Sequence, residues 1–156
     1  VYVVWTDLLS DAIAYEKAWP GDETAQFFLL ELYRFGYNMD VLDTGKRVLA
    51  AINACLTAHP ASVICHFGAT YFYLSVGPRF TEQAQASLDF LRGAFAPVVN
   101  EDVESGYVFL HLYRQDTESA RKQIDHYIEL FPDSPRAAEF ATIKSALGDT
   151  IEVVTP

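Results

Sequence analysis

The sequence lacks most of the features that mark a disulfide scaffold, a nucleic-acid binder or an enzyme. Two cysteines in 156 residues are too few for a disulfide framework, and their number does not decide the compartment. Lys and Arg number 11 against 21 Asp and Glu, a net charge of -10, so a nucleic-acid backbone or an anionic membrane surface would be repelled. The chain has no glycine-rich phosphate loop, no nucleophile elbow and no His-Glu-x-x-His pair. We therefore expect neither catalytic residues nor a cofactor.

Residues 48–78 contain no Asp, Glu, Lys or Arg, which raises the question of a membrane span. Asn53, Thr57, His59 and Pro60 interrupt this window, and neither half alone supplies the ~20 apolar residues that a transmembrane helix needs. A helical hairpin buried on both sides explains the same composition. The sequence therefore predicts a central hairpin and no integral membrane span.

The length and composition fit one folded domain over residues 1–156. Hydrophobic residues make up 51% of the chain and aromatic residues 14%, so the chain can bury a core and disorder is not expected. The sequence begins at Val1 and shows no signal peptide, so a leader could be missing. The compartment is left open between the cytoplasm and a bacterial periplasm or envelope.

An internal repeat with a spacing of forty residues organises the chain. The segment FFLLELYRFG (27–36) aligns with YVFLHLYRQD (107–116), and FGATYFYLSV (67–76) lies midway between them. Pro20 and Pro60 keep the same spacing. Three sets of equivalent positions share it: Phe27/Phe67/Tyr107, Leu32/Phe72/Leu112 and Tyr33/Tyr73/Tyr113. A period in this range is typical of stacked supersecondary units.

Each repeat predicts two helices. In TESARKQIDHYIELFP (117–132), apolar residues recur at spacings of three and four, which is one face of a helix: Ala120, Ile124, Tyr127, Ile128 and Phe131. Thr117 is the predicted cap of this helix. A last helix is predicted with Ser134 as its cap, Pro135 at its first position and Gly148 as its stop. The extended-looking ends, VYVVW and IEVVTP, are predicted to be terminal arms.

These features resemble the tetratricopeptide repeat (TPR) family. Ala120 is followed by Pro132 at the family spacing, and Gly68 with Tyr71 looks like the signature of a first helix. The resemblance covers roughly residues 10–148, although forty residues exceed the usual repeat of about 34, and other helical-hairpin repeats remain alternatives. It implies an all-α fold of antiparallel helical hairpins stacked as a short right-handed TPR-like solenoid. In such a fold the first helices line a concave binding groove.

The repeat also predicts boundaries for about seven helices in a single TPR-like domain. A lone helical hairpin cannot bury its apolar faces, so neighbouring hairpins are expected to stack. Small residues at Gly68, Ala84 and Ala120 are expected to let helices approach closely. The predicted parts are a partial repeat helix at 6–20, hairpins at 22–60, 61–97 and 100–132, and a C-terminal capping helix at 134–148.

The segment CLTAHPASVICH holds both cysteines and two of the four histidines. Cys55, His59, Cys65 and His66 have the donor types of a zinc site, but adjacent helical residues such as the last two point about 100° apart and rarely close on one ion. Buried cysteines that pack as small hydrophobes are the favoured interpretation. A disulfide is the other alternative, restricted to the neighbourhood of the turn because helix axes lie about 8–10 Å apart.

A groove lined by aromatic residues and arginine is the predicted binding site. Tyr33, Tyr73 and Tyr113 fall on three successive first helices, where they could form a ladder down the groove or pack the hairpins together. Aromatic residues and arginine commonly anchor partners, and the histidines of the first helices could also face the groove. The predicted site residues are Tyr33, Arg34, His66, Tyr73, His111, Tyr113 and Arg114.

The sequence as a whole favours binding over catalysis. The acidic run NEDVE (100–104) is interpreted as a solvated loop and helix start, where carboxylates suit the helix dipole. We expect a bacterial protein–protein interaction module, an adaptor or chaperone that holds a peptide or partner protein, with homo-oligomerisation left open. The alternative is a metal- or redox-binding protein that uses Cys55, His59, Cys65 and His66.

Overall fold

The computed structural model describes residues 2–148 and is all-α over that range. It contains eight α-helices, one short 3-10 helix at Pro78–Phe80 and no strand among the described residues. The predicted all-α class is therefore confirmed. The helices are α1 (Tyr2–Ala18), α2 (Glu23–Asn38), α3 (Thr44–Ala58), α4 (Val63–Ser75), α5 (Thr81–Phe95), α6 (Glu101–Tyr113), α7 (Thr117–Leu130) and α8 (Pro135–Gly148).

The helix boundaries differ from the predicted ones at the N-terminal end, where α1 begins at Tyr2 rather than at residue 6. The ranges 22–60, 61–97 and 100–132 each hold two α-helices, and 134–148 holds one. The prediction of an N-terminal arm was wrong, because residues 2–5 of VYVVW form the first turn of α1. Its β-branched residues favour a strand, but Trp5, Leu9 and Ala12 recur at helical spacing and are buried, and this packing outweighs local propensity. The segment IEVVTP lies outside the described residues.

Capping explains where the helices of the second half begin. Asn100 caps α6 by accepting a hydrogen bond from the amide of Val103 at 3.1 Å. Asp116, rather than the predicted Thr117, caps α7 by accepting from the amide of Ser119 at 3.0 Å. A carboxylate one residue earlier takes the role because its oxygen reaches the third amide of the helix. Pro135 opens α8 as predicted.

The chain divides into two compact units, residues 1–75 and 76–156. In the first unit α2 packs against α1, α3 and α4, and α4 also packs against α3. Helix α1 is held on α2 by the indole of Trp5, which donates a hydrogen bond to the carbonyl of Leu32 at 2.7 Å. The same ring lies over Gly36, where an added Cβ would come within 2.5 Å of Trp5 Cζ2. Only glycine fits this approach of α1 to α2.

Gly68 has the predicted packing role between α2 and α4. A Cβ at this position would lie 2.8 Å from a methyl group of Leu30, which is closer than ordinary contacts. The charge-free residues 48–78 include most of α3 and all of α4, which pack against each other as the predicted helical hairpin. Among residues 2–148 the helices are too short or too polar for any of them to cross a membrane, which agrees with the prediction for that part of the chain.

In the second unit α6 packs against α5 and α7, and α7 packs against α8. One core cluster joins α6, α7 and α8 through Val108, Ile124, Tyr127, Ala137 and Phe140. Ala84 and Ala120 are fully buried, as predicted for positions of close helix approach. Beside this core, Glu101 at the start of α6 accepts hydrogen bonds from Tyr127 on α7 and from Ser134 just before α8, at 2.6 Å each.

Candidate functional site

The seven residues predicted for the groove are distributed over three helices. Tyr33 and Arg34 lie on α2 and the pair His66 and Tyr73 on α4, all in the first unit. The remaining three belong to the second unit: His111 and Tyr113 on α6, and Arg114 directly after it. Their role in partner binding stays a prediction. Their surroundings show what each can offer.

The tyrosines serve packing to different degrees. Tyr73 is 6% exposed, and its burial raises the pKa of its phenol. Tyr33 is half-buried against the cluster that contains Trp5 and Leu32, with the guanidinium of Arg47 at 5.8 Å from its ring centroid. Tyr113 is half-buried. A row of solvent-facing phenol rings is therefore not present at Tyr33 and Tyr73.

Arg34 lies in a different aromatic environment, on the side of α2 that meets α4. Its side chain pairs with Glu31, Nε donating to Oε1 at 3.1 Å, and its guanidinium carbon is 5.2 Å from the centroid of Phe35 and 5.9 Å from that of Tyr71. The ring of Phe67 stacks on Tyr71 with centroids 6.2 Å apart. Phe35 and Tyr71 are 53% and 44% exposed, so this surface of the first unit combines an arginine with aromatic rings that were not among the predicted site residues.

The two predicted histidines are both partly buried. The Nε2 of His66 lies 3.1 Å from the carbonyl oxygen of Pro60, and burial lowers the pKa of this imidazole. Burial likewise lowers the pKa of His111, whose Nδ1 is buried without a hydrogen-bond partner among the described residues. Arg114 is engaged by Glu82 at 2.8 Å and by Gln85. Because their pKa values are lowered, the imidazoles of His66 and His111 stay neutral over a wider pH range than a solvated histidine does.

Cys55 and Cys65 form a disulfide, so the favoured interpretation of two free packing cysteines was wrong. Their Cα atoms are 5.8 Å apart and both residues are fully buried. The bridge joins the end of α3 to the start of α4, near the turn, where two antiparallel helices come close enough. His59 turns instead toward the first interhelical loop, with Nε2 at 2.9 Å from the carbonyl oxygen of Gly21.

The bridge also bears on the alternative metal site. Zinc is bound by thiolates, and both sulfur atoms are already joined to each other. Across residues 2–148, no three His, Cys, Asp or Glu side chains come together in a way that could hold a metal ion. His59 and His66 each place Nε2 at a backbone carbonyl.

A concave pocket of about 400 Å³ lies in the second unit, between α5, α6, α7 and the loop that joins α5 to α6. We call it the Arg92 pocket. One wall is apolar and comes mainly from that loop, where Val98 is 69% exposed and Val99 45%. The lining residues are Arg92, Phe95, Ala96, Pro97, Val98, Val99, Asn100, Val103, Glu104, Gln123 and His126.

A buried carboxylate organises the polar wall of the Arg92 pocket. The side chain of Glu104 is 4% exposed, and Arg92 binds it with both ends of its fork, Nε to Oε1 at 3.1 Å and Nη2 to Oε2 at 2.8 Å. Gln123 donates a third hydrogen bond to Oε2 at 2.8 Å. A buried charge is tolerated when it is paired and hydrogen-bonded in this way.

The ring of Tyr107 packs against the guanidinium of Arg92. The guanidinium carbon lies 3.7 Å from the ring centroid, a cation–π contact that holds the planar group in one orientation. Burial, and then the hydrogen bond that the phenol donates to Asp89, raise the pKa of Tyr107. The phenol therefore stays protonated, and the guanidinium keeps a rigid platform.

The pocket retains polar groups that the fold does not use. Within the described residues, Nη1 of Arg92 and Oε1 of Gln123 have no hydrogen-bond partner. His126 is 53% exposed at its side chain, with Nε2 at 3.9 Å from the carboxylate of Glu104. One donor, one acceptor and one imidazole are thus available beside an apolar wall. Such a combination is typical of a recognition site.

Sequence reasoning missed this pocket because it interpreted residues 100–104 as solvated. Glu104 is buried, and a signal for this exists: it stands three and four residues before Tyr107 and Val108, on the apolar face of α6. A charge on the buried stripe of a helix indicates a pairing partner elsewhere. The sequence alone does not reveal that the partners are on α5 and α7.

Comparison with known proteins gives no match. No protein-family model fits the chain, and neither a curated protein nor a solved structure is similar to it. The resemblance to tetratricopeptide repeats therefore depends on the quoted residues alone.

Proposed function

We propose that this chain is a protein-interaction module that binds a peptide segment of a partner protein. In this proposal its helical hairpins stack as a TPR-like solenoid, and it acts as an adaptor or chaperone rather than as an enzyme. The fold class agrees with this, since α2, α4 and α6 carry the equivalent positions of the forty-residue repeat. Repeats of this kind commonly present extended binding surfaces.

The Arg92 pocket is the observation that carries the proposal. Its ion pair is preorganised by the ring of Tyr107 and by Gln123, so little side-chain freedom remains to be lost on binding. A peptide backbone offers both a carbonyl and an N–H group, which match the unused donor of Arg92 and the unused acceptor of Gln123. The apolar loop wall can receive one apolar side chain of the same peptide.

Selection from a random peptide library on the immobilised full chain tests this. We expect selected peptides to share an apolar residue and to bind the Val99→Asp variant at least about tenfold more weakly, because one buried aliphatic side chain contributes roughly 1.5 kcal/mol or more. Leu42→Asp is the matched control, since Leu42 is 86% exposed in the first unit. Unfolding curves establish that both variants fold.

The opposite result is equally informative. Peptides that bind both variants like the unmodified chain would place recognition outside the Arg92 pocket. The arginine–aromatic surface at Arg34, Phe35 and Tyr71 is then the next surface to probe. A library that yields no binder at all would count against the peptide-binding function itself.

We also infer that the protein works in an oxidising compartment. Disulfides persist outside the cytosol and are rare within it, and the Cys55–Cys65 bridge is fully buried. Of the compartments left open by the sequence, a bacterial periplasm or envelope fits the bridge. Thiol alkylation of the protein isolated without reductant measures this directly: two alkylated cysteines would contradict it.

A further inference from the structure

The first helix presents an apolar stripe to solvent beside the face that it buries. Val4, Leu8 and Tyr15 lie within one 60° sector of α1 by their spacing, and they are 60%, 42% and 50% exposed. Trp19 continues the stripe, because its amide bonds to the carbonyl of Tyr15 at 2.9 Å as the next helical residue would, and it is 63% exposed. An exposed stripe of this kind is typical of an interaction surface.

Helix α2 turns this stripe into a groove. A cavity of about 250 Å³ lies between α1 and α2, lined by Asp11, Ala12, Tyr15, Ala25 and Phe28. Phe28 is 47% exposed and forms the opposite wall. The two alanines keep the floor open for a side chain from outside. From Val4 to Trp19 the stripe that borders this cavity is about 22 Å long, the length of a helix of about 15 residues.

One border of the groove is acidic. Asp7 and Asp11 precede Tyr15 at intervals of four residues, so they form a row along the edge of the stripe. Within the described residues neither carboxylate has a basic partner. An occupant with Lys or Arg along its own edge would meet unpaired charges of opposite sign.

A second copy of the chain fits this border poorly. Antiparallel pairing of two α1 helices about their middle would bring Asp11 of each copy together. Like charges placed side by side weaken association. The charge pattern therefore favours a different partner.

We propose that the α1–α2 groove binds an amphipathic helix of a partner protein whose polar edge is basic. Its apolar residues, spaced at three and four, would contact Leu8, Tyr15 and Phe28. Its basic residues would lie along Asp7 and Asp11. This is the helix-in-groove mode of recognition, and it is independent of the Arg92 pocket, which lies in the other unit.

Trp19 provides the test, because the other tryptophan, Trp5, is 8% exposed and already hydrogen-bonded. The full chain is titrated with two synthetic helical peptides of about 15 residues that share a leucine face, one with a lysine edge and one with a glutamate edge. The lysine peptide should shift the emission of Trp19 to the blue and saturate. The glutamate peptide should leave the emission unchanged.

Two charge-matched double variants separate a groove from general attraction to an acidic protein. Asp7→Asn with Asp11→Asn should weaken binding of the lysine peptide about three- to tenfold, since exposed ion pairs are screened by solvent and contribute modestly. Glu129→Gln with Asp133→Asn removes the same charge in the second unit and should leave it unchanged. Phe28→Ala should weaken binding as well.

Three outcomes would overturn the proposal. Equal loss in both double variants would show unspecific attraction to the net charge. Equal binding of both peptides would show that the acidic border plays no part. Sedimentation as a dimer in which Trp19 already emits in the blue would assign the groove to a second copy of the chain.

Discussion

The two units of this protein are stabilised by different chemistry. Of the ion pairs among residues 2–148, those of the first unit join residues three apart on one stretch of chain, Glu31 with Arg34 and Asp43 with Lys46. Those of the second unit also join different helices, as Arg92 with Glu104 and Arg136 with Asp102 do. In place of ion pairs between helices, the first unit has the Cys55–Cys65 disulfide and close helix contacts at Gly36 and Gly68.

Composition explains the contrast. Residues 1–75 contain four Lys or Arg and eight Asp or Glu, whereas residues 76–156 contain seven and thirteen. The charge-free stretch from 48 to 78 supplies residues 48–58 of α3 and all of α4, so these parts have no ionic side chains with which to select their neighbours. Shape and a covalent link must then select the packing.

Replacing Arg92 by alanine should give the largest loss of stability. Glu104 would keep Gln123 as a donor but lose its counter-charge in a site where its side chain is 4% exposed. Leaving a buried charge without its partner costs about 3 kcal/mol, which urea unfolding measures. Adding Glu104→Gln should recover part of the loss, because a neutral amide needs no counter-charge.

Lys122→Ala is the control for that experiment. Lys122 pairs with Glu118 on the exposed face of α7, where solvent screens the ion pair and its removal should change stability little. If Arg92→Ala and Lys122→Ala destabilised the protein equally, the polar network would not be what stabilises the second unit.

Removing the disulfide should have the next largest effect. The bridge closes a short loop between Cys55 and Cys65, and opening such a loop is expected to cost roughly 2.5 kcal/mol through the entropy of the unfolded chain. The double variant Cys55→Ala with Cys65→Ala should show this loss in urea unfolding. Reductant should cause the same loss of stability in the unmodified chain and should not change the stability of the double variant. If neither the double variant nor the reduced chain is less stable, the disulfide does not stabilise the first unit.

The smallest effect is a pH dependence in the second unit. Hydrogen bonds from Ser134 and then Tyr127 lower the pKa of Glu101 below its ordinary 4.5. The folded state therefore gains stability from the ionised carboxylate above pH 4.5 and loses it as the pH falls through the lower folded value. Glu101→Gln should lower the melting temperature at pH 7, and its gap to the unmodified chain should close below pH 4.5.

The exposed Glu139 on α8 provides the reference. Glu139→Gln should leave the melting temperature close to that of the unmodified chain from pH 7 to acid. A gap for Glu101→Gln that stays constant across that range would show that its hydrogen bonds do not depend on ionisation.

Much of the fold could be predicted from the sequence because helix ends are local. Caps and prolines act within one turn, so α8 begins at the predicted Pro135. The start of α1 could not be predicted in this way, because Trp5 becomes helical through a contact with Leu32 on another helix. Local propensity is overridden when a distant residue provides the partner.

The candidate site was less predictable for a similar reason. Arg34 was expected beside Tyr33 in a ladder of tyrosines, but its aromatic neighbours are Phe35 and Tyr71, and Tyr73 proved buried. Whether a residue of a helix faces a groove or its neighbour depends on how far each helix is rotated about its axis. In the Arg92 pocket the partners of Glu104 stand 12 and 19 residues away, and sequence spacing does not give the register between their helices.

The contact of Trp5 with Gly36 has a consequence for how this sequence can vary. The two positions are 31 residues apart in the chain, yet a single added carbon at position 36 would meet the indole. A larger residue there requires a smaller ring at position 5, and a smaller ring would give up the hydrogen bond to Leu32. The effects of substitutions at positions 5 and 36 on stability are therefore expected to be non-additive. We expect α1 and α2 to vary together at these two positions.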